Sequence, residues 1–441
     1  MTRNSDSTND PGARGARNGR GLRARTDRNL IRSTHRSERF VLIELDAPPS
    51  TAERKREPIN IAFVLDRSGS MGGRKIELAR KAVETAIDRL LPEDRFAVVA
   101  YDDRIDVVVE STPASREAKD GALRRIRDID ARGSTDLGGG WLKGAEQVAL
   151  HQAAAGGGGV HRVLLLTDGL ANQGMTDPAD LARHAGELRA RGIGTSTFGV
   201  GEDFSETLLQ GMADAGGGHF YYIERPEQIT DLIASEVGEL LEIVARDAAI
   251  EITAPDGMTI RPLSPYRFEQ RGNRSVLHLG DLVAEQHLEA VVRIKFGYGE
   301  IGTEIGVLVG ATDRDGALAA AGTTPVAIGW QYADDRANDA QPRDRSVDRR
   351  VAALFVAQAR QEAVKLNRLG DFNEAARELR QVSMKIRGYA GDDPELGALL
   401  AQLYAEEQRW SAPAPELLRK TAFAAANYSM RSRGPEGKAG R

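Results

Sequence analysis

Between residues 59 and 245, continuous apolar runs alternate with segments of helical period, and that alternation restricts the fold more than any other feature of the chain. The run IAFVL at 61–65 has no polar interruption, the mark of a strand buried on both faces. Residues 75–91 then place Ile76, Ala79, Val83, Ile87 and Leu90 on one helical stripe. The same exchange continues, with strands predicted at 96–100, 107–109, 163–166, 193–200 and 220–223. Helices are predicted at 116–129, 141–150, 181–189, 204–214 and 226–245. Strands and helices in this order form an α/β fold: a doubly wound, mostly parallel sheet with helices on both faces. In such sheets ligands sit at the carboxyl ends of the strands.

Outside this region the period changes. Segments 249–253, 275–279, 288–296 and 306–309 alternate and read as antiparallel strands. FVLIEL at 40–45 alternates too, so the α/β domain is expected to be inserted in a small β-sandwich whose strands flank it in sequence. Residues 346–430 are helical, with apolar stripes at 347–368, 372–387, 394–408 and 415–428. Leu369-Gly370-Asp371-Phe372 resembles the turn of one tetratricopeptide-style hairpin, but one unit does not make a repeat array, and an ordinary helical bundle is expected. The plan is therefore a β-sandwich-like region at 34–58 plus 246–330, the α/β domain at 59–245, a linker at 331–345 and a helical region at 346–430. Residues 1–33 carry Arg14, Arg17, Arg20, Arg23 and Arg25 with few large apolar residues, and read as a disordered basic tail. Residues 431–441 read as a second disordered tail.

Three loops carry concentrated oxygen chemistry. Asp66-Arg67-Ser68-Gly69-Ser70 directly follows the first buried strand. Gly133-Ser134-Thr135-Asp136-Leu137 lies between two helices, and Thr167-Asp168-Gly169 directly follows the strand VLLL. In a parallel sheet the first and third open onto one edge, and the second can reach it. Two carboxylates and three hydroxyls are all hard oxygen donors, the set that suits Mg²⁺. The bland alternative for Asp66, Ser68 and Ser70 is a helix N-cap, which leaves Thr135 and Asp168 unexplained. Ser134 is the rival hydroxyl to Thr135, and Asp136 is read as the cap of the following helix.

Asp66-x-Ser68-x-Ser70, then Thr135, then Asp168 resembles the metal-ion-dependent adhesion site of von Willebrand factor type A domains. The likeness covers about residues 59–245. It implies a Rossmann-like sheet and a Mg²⁺ ion at its upper edge, with Mn²⁺ or Ca²⁺ as alternatives. It also implies Ser68, Ser70 and Thr135 as direct ligands, with Asp66 and Asp168 acting largely through water. An open coordination position would capture an Asp or Glu of a protein partner. Intracellular family members often work beside hexameric ATPases, so an ATPase complex is the partner class the resemblance suggests. Members with an adjacent calcium site carry acidic residues after the first motif. Here Arg74 and Lys75 follow, so a single metal is expected.

Composition narrows the rest. The chain has no cysteine, which excludes disulfides, thiol catalysis and thiolate metal sites. Net charge is −5, so no polyanion partner is expected for the whole chain, and a nucleic-acid contact is confined to the basic tail. No run is long and apolar enough to span a membrane, and no secretory h-region opens the chain, so a cytoplasmic location is expected. Asn172 and Gln173 are candidate rim residues, with a solvated loop as the favoured reading. Gly156–Gly159 reads as a connector, and Gly199-Val200-Gly201 is too short for a dinucleotide fingerprint. Trp141 is expected in the core, and His219 is expected to pack structurally without a partner. The Ser hydroxyls have no sequence-evident His, so a non-enzymatic binding module is favoured. A Mg²⁺-dependent hydrolase or phosphoryl-transfer enzyme and a structural scaffold stand as alternatives.

Overall fold

The computed structural model describes residues 21–50, 56–152 and 159–440. The chain opens with β1 (Leu22–Thr26), β2 (Leu30–Arg32) and β3 (Ser37–Asp46). The α/β unit follows as β4 (Ile59–Asp66), α1 (Arg74–Asp88), β5 (Arg95–Tyr101), β6 (Ile105–Pro113), α2 (Arg116–Arg127), α3 (Leu137–Ala149) and β7 (Val160–Thr167). It continues through α4 (Pro178–Ala190), β8 (Ile193–Val200), α5 (Glu206–Gly216), β9 (Gly217–Ile223) and α6 (Gln228–Leu241). Then come β10 (Ile243–Thr253), β11 (Thr259–Pro262), β12 (Arg267–Arg271), β13 (Arg274–Val283), β14 (His287–Phe296), β15 (Glu304–Thr312), α7 (Ala317–Ala320) and β16 (Val326–Ala333). The chain closes with α8 (Asp335–Ala340), α9 (Arg345–Leu369), α10 (Phe372–Ala390), α11 (Pro394–Trp410) and α12 (Glu416–Met430).

The central sheet has the order β6-β5-β4-β7-β8-β9 and is parallel except for β6, which forms a hairpin with β5. Every residue of β4 and β7 is buried, as the apolar runs at their centres, 61–65 and 163–166, require. Residues of α1, α2 and α6 fill one face of the sheet. Residues of α3, α4 and α5 fill the other, and there α9 to α12 add a further layer. Trp141 is fully buried. Strand order reverses between β4 and β7, which makes their carboxyl ends a topological switch point. Gly144 lets α3 lie directly on β4, because a Cβ there would collide with Val64.

The remaining strands form two sheets, β1-β3-β14-β11 and β12-β13-β10-β15-β16-β2. Strand β3 pairs along its length with β14, and β2 pairs with β16. Strands from both sides of the α/β unit thus close around one apolar core that includes Ile43, Ile250, Val292 and Trp330. The α/β unit is inserted between β3 and β10. No helix among the described residues is long and apolar enough to cross a membrane.

The structure corrects three expected boundaries. Residues 1–20, with Arg14, Arg17 and Arg20, lie outside the described residues, and the rest of the expected tail holds the strands β1 and β2. In β1 Leu22 faces the core, while Arg23 and Arg25 face outward and pair with Asp46 at 2.8 Å and Glu44 at 3.1 Å. The arginines that read as a basic tail are the polar face of a strand, paired across to β3. The expected linker at 331–345 holds the end of β16 and all of α8, whose buried Asn338 accepts a hydrogen bond from Arg39 at 2.5 Å. The expected tail after 430 is anchored. Arg433 is buried, with NH2 2.7 Å from Glu239 and donating to Tyr221 Oη at 2.9 Å. His219 likewise has a partner, with Nδ1 3.0 Å from Glu236 Oε2. Part of the Gly156–Gly159 connector lies outside the described residues.

His287 opens β14 opposite Asp46, with Nδ1 2.7 Å from its carboxylate. Hydrogen bonding to Glu289 and to Asp46 raises the imidazole to about 9 from an ordinary 6.5. A raised folded-state value stabilises fully below pH 6.5 and is lost as pH rises to about 9. The ring is partly exposed, so screening reduces the effect to about 1 kcal/mol. Thermal melts of wild type are expected to fall between pH 6.5 and 9 by more than those of His287→Gln. Parallel pH profiles for the two proteins reject this assignment.

Candidate metal centre

The last residue of β4 is Asp66, fully buried. Its Oδ1 accepts the backbone N–H of Ser68 at 2.8 Å, which turns the chain sharply off the strand. Its Oδ2 accepts Thr167 Oγ1 at 2.6 Å from the end of the neighbouring β7. Ser68 and Ser70 approach through their hydroxyls at 3.2 Å, and Ser70 donates to Asp168 Oδ1 at 2.7 Å. Asp66, Ser68, Ser70 and Asp168 therefore form one hydrogen-bonded cluster at the switch point. Neither serine caps a helix: Ser68 makes no cap hydrogen bond, and α1 begins after Gly73.

Thr135 arrives from the loop before α3. Asn172 Oδ1 accepts its backbone N–H at 3.0 Å, and its carbonyl accepts the N–H groups of Asn172 and Gln173 at 3.3 Å. Asn172 and Gln173, read from the sequence chiefly as a solvated loop, thus clamp the Thr135 backbone. A Cβ at Gly169 would lie 3.7 Å from Thr135 Oγ1 and 3.9 Å from Ser70 Oγ, so both hydroxyls converge there. Thr135 is buried, and among the described residues its hydroxyl has no hydrogen-bond partner. Asp136 caps α3, accepting Gly139 N–H at 2.9 Å.

Electrostatically the site is short of positive charge. Burial pushes the Asp66 carboxyl above its ordinary range, hydrogen bonds from Ser68 and Thr167 oppose this, and the charge of Asp168 adds to it. Asp168 is also fully buried, and Lys75 Nζ forms an ion pair with its Oδ2. Lys75 also donates to the Ser70 carbonyl at 3.3 Å. One ammonium thus faces two buried carboxylates. A hard, oxygen-seeking divalent cation suits this donor set.

Three neighbours, Thr167, Asp102 and Arg132, had no individual role in the sequence-based expectations. Thr167 ties Asp66 to β7. Asp102, after β5, accepts Arg67 Nε at 3.1 Å and Arg132 Nε at 2.8 Å. Burial pushes its carboxyl up, but Arg132, the Arg104 backbone N–H and Arg67 outweigh that, and it sits below the ordinary value. This pairing locks the first loop to the one carrying Thr135. The signal for it is Asp102-Asp103-Arg104 following a strand at the same sheet edge. Two other His/Glu groupings, Glu44–His287–Glu289 and His219–Glu236–Glu239, are drawn into ion pairs with Arg25, Arg350 and Arg433.

Residues 60–235 match the family model described as von Willebrand factor type A domain. Over 223 residues the chain is 31% identical to the uncharacterized protein YfbK of Escherichia coli (strain K12), covering 49% of this chain and 37% of that one. Over 274 residues it is 28% identical to the uncharacterized protein sll0103 of Synechocystis sp., covering 59% and 62%. It is 30% identical over 164 residues to inter-alpha-trypsin inhibitor heavy chain H4 of Homo sapiens, covering 36% and 18%. The chain thus spans less than two thirds of the length of each of these relatives. Among solved structures, a von Willebrand factor type A protein from Catenulispora acidiphila superposes with a TM-score of 0.70 at 20% identity, covering 96% of this chain and 99% of that one. The ArnB paralog VWA2 from Sulfolobus acidocaldarius gives 0.56 at 15% identity, covering 93% and 98%. These two share the fold over nearly the whole chain.

Proposed function

With a von Willebrand factor type A domain at residues 60–235 as the starting point, we propose that the chain binds a partner protein through a divalent ion held at Asp66, Ser68, Ser70, Thr135 and Asp168. Such domains commonly mediate metal-dependent protein interactions. The observation that carries this reading is the Asp66–Ser68–Ser70–Asp168 cluster with the unpartnered Thr135 hydroxyl beside it. Ser68, Ser70 and Thr135 would ligate Mg²⁺ directly, and Asp66 and Asp168 would hold its waters while neutralising it. An Asp or Glu of the partner would complete the coordination. Ser70 donates to a carboxylate rather than to an imidazole, which favours ligand over nucleophile.

The test is capture of partners from host extract by the full chain. A protein retained with Mg²⁺ and released by chelation, and not retained by Asp66→Ala, supports the reading. Equal retention with and without chelator overturns it.

Lys75 competes with the ion for Asp168. A partly exposed ion pair contributes about 1 kcal/mol, so Lys75→Met is expected to raise Mg²⁺ affinity about fivefold in calorimetric titration. Unchanged or weaker affinity would show that the ammonium does not compete.

A further inference from the structure

At the sheet edge opposite Asp66, the amino ends of β7, β8 and β9 face the β-sandwich across a cleft of about 540 Å³. Four arginines line it, Arg162, Arg189, Arg267 and Arg431, together with His219 and His278. Only two carboxylates line it, Asp214 and Asp281, and both are engaged. Asp281 accepts Arg162 NH2 at 3.0 Å and the Asp247 backbone N–H at 3.0 Å. Asp214 pairs with Arg431 at 2.6 Å. Arg267 pairs with Glu269 at 3.1 Å, and that carboxylate is shared with Arg271 at 3.1 Å and His278 at 3.3 Å.

Arg189 differs from the others. Among the described residues its guanidinium has neither a hydrogen-bond acceptor nor a paired carboxylate. Burial holds it below its ordinary value. Asp247 and Asp281 partly offset this, while Arg267 and Arg162 add to it. Further donors are unsatisfied around the same cleft: Arg162 Nε, Arg431 Nε and Tyr266 Oη are buried without hydrogen-bond partners. The backbone makes room for the guanidiniums. A Cβ at Gly217 would lie 2.7 Å from Arg189 Nε, and one at Gly194 would collide with Arg162 NH1.

Buried donors without acceptors cost free energy unless something accepts from them. A guanidinium fork matches a carboxylate or phosphate through paired hydrogen bonds. A partly enclosed cleft with excess positive charge concentrates anions, and its volume falls in the range of small-molecule sites. We propose that this cleft binds a small dianionic ligand, a phosphate ester or a dicarboxylate, with Arg189 taking its charge. Arg189 has no paired carboxylate and Arg267 shares the single Glu269 carboxylate with Arg271 and His278, so these two guanidiniums are the ones left to meet a doubly charged ligand. The site is separate from the Asp66 cluster and needs no metal.

The experiment is calorimetric titration of the full chain, in buffer stripped of divalent metals, with inorganic phosphate and separately with malonate. At least one is expected to bind wild type. Arg189→Met is expected to weaken that binding at least tenfold, and Arg377→Met, on α10, to leave it unchanged. Unliganded Arg189→Met is expected to melt no lower than wild type, because it removes a half-buried charge without a paired carboxylate. Arg267→Met, at an exposed strand position, is expected to weaken binding severalfold and serves if the first variant does not fold. Binding of phosphate alone assigns the site to phosphate esters, and of malonate alone to dicarboxylates. Binding of neither, or equal binding by wild type and both cleft variants, overturns the proposal.

Discussion

Asp66→Asn is expected to lower Mg²⁺ affinity at least a hundredfold while leaving the metal-free protein as stable as wild type or more so. Asparagine keeps the shape of the side chain and an oxygen for the Ser68 backbone N–H, now 2.8 Å away. What it removes is the charge. A carboxylate acting through a bridging water, at roughly 5 Å and an effective dielectric of about 20, attracts a divalent ion by on the order of 6 kcal/mol. Dehydration cancels part of that, so a hundredfold loss, about 2.7 kcal/mol, is a conservative floor. Without metal the sign reverses. Burial and the charge of Asp168 both disfavour ionised Asp66, so neutral asparagine relieves a native-state cost. Alanine is a poorer probe, because it strands the Ser68 N–H and the Thr167 hydroxyl at about 1–3 kcal/mol each. Two measurements decide the matter: calorimetric Mg²⁺ affinity, and melting with and without the ion. Wild type at a hundredfold excess over Kd gains about 2.7 kcal/mol, and the variant should gain at most about 0.4 kcal/mol. Mg²⁺ affinity within threefold of wild type sinks the assignment of Asp66.

The opposite effects expected on binding and on bare stability explain why the candidate site stands out in the sequence. A buried Asp at the end of an unbroken apolar strand is locally costly, and chains keep such costs where function needs them. Asp66 and Asp168 each follow such a strand, so the strand pattern alone set them on one edge of a parallel sheet. The α/β unit was legible for the same reason, because its signals are local: period, run length and the loop after each strand. What stayed hidden depends on partners far away in sequence. The arginines of β1 look like a solvated tail until Asp46 and Glu44 of β3 lie beside them. Arg433 looks like the start of another tail until Glu239, almost two hundred positions earlier, receives it. Lys75 was legible as a basic residue that argues against a second ion, yet its pairing with Asp168 required the fold. That the Thr135 hydroxyl lies with that of Ser70 beside Gly169 also required the fold.

The same distant pairing ties the helical region to the α/β unit, and breaking it is expected to cost most. Glu206 opens α5 and is almost fully buried. Its Oε1 accepts Arg368 NH1 from α9 at 2.6 Å, and its Oε2 accepts Lys420 Nζ from α12 at 3.0 Å. Lys420 is 1% exposed, donates also to the Phe204 carbonyl at 2.6 Å, and lies 3.9 Å from the centre of the Phe204 ring. Glu206→Ala leaves that buried ammonium only Glu416, at 3.7 Å, as a counter-charge, a change worth about 3–4 kcal/mol. The double variant Glu206→Gln with Lys420→Met removes both charges and is expected to recover most of the loss, since neutral isosteres often replace buried pairs at little cost. Burial pushes the Glu206 carboxyl up, but Lys420 and then Arg368 outweigh it and hold it below its ordinary 4.5. The contribution is therefore complete above pH 4.5 and is lost as pH falls through the lower folded-state value. A chain with four apolar clusters among its described residues need not unfold in one step, so hydrogen exchange of the α12 amides is the proper readout. Protection there should fall by about two to three orders of magnitude in Glu206→Ala at neutral pH, with the difference from wild type narrowing in acid. A loss below about 1 kcal/mol, or one that the double variant fails to restore, means that apolar packing of α12 rather than this ion pair holds the helical region in place.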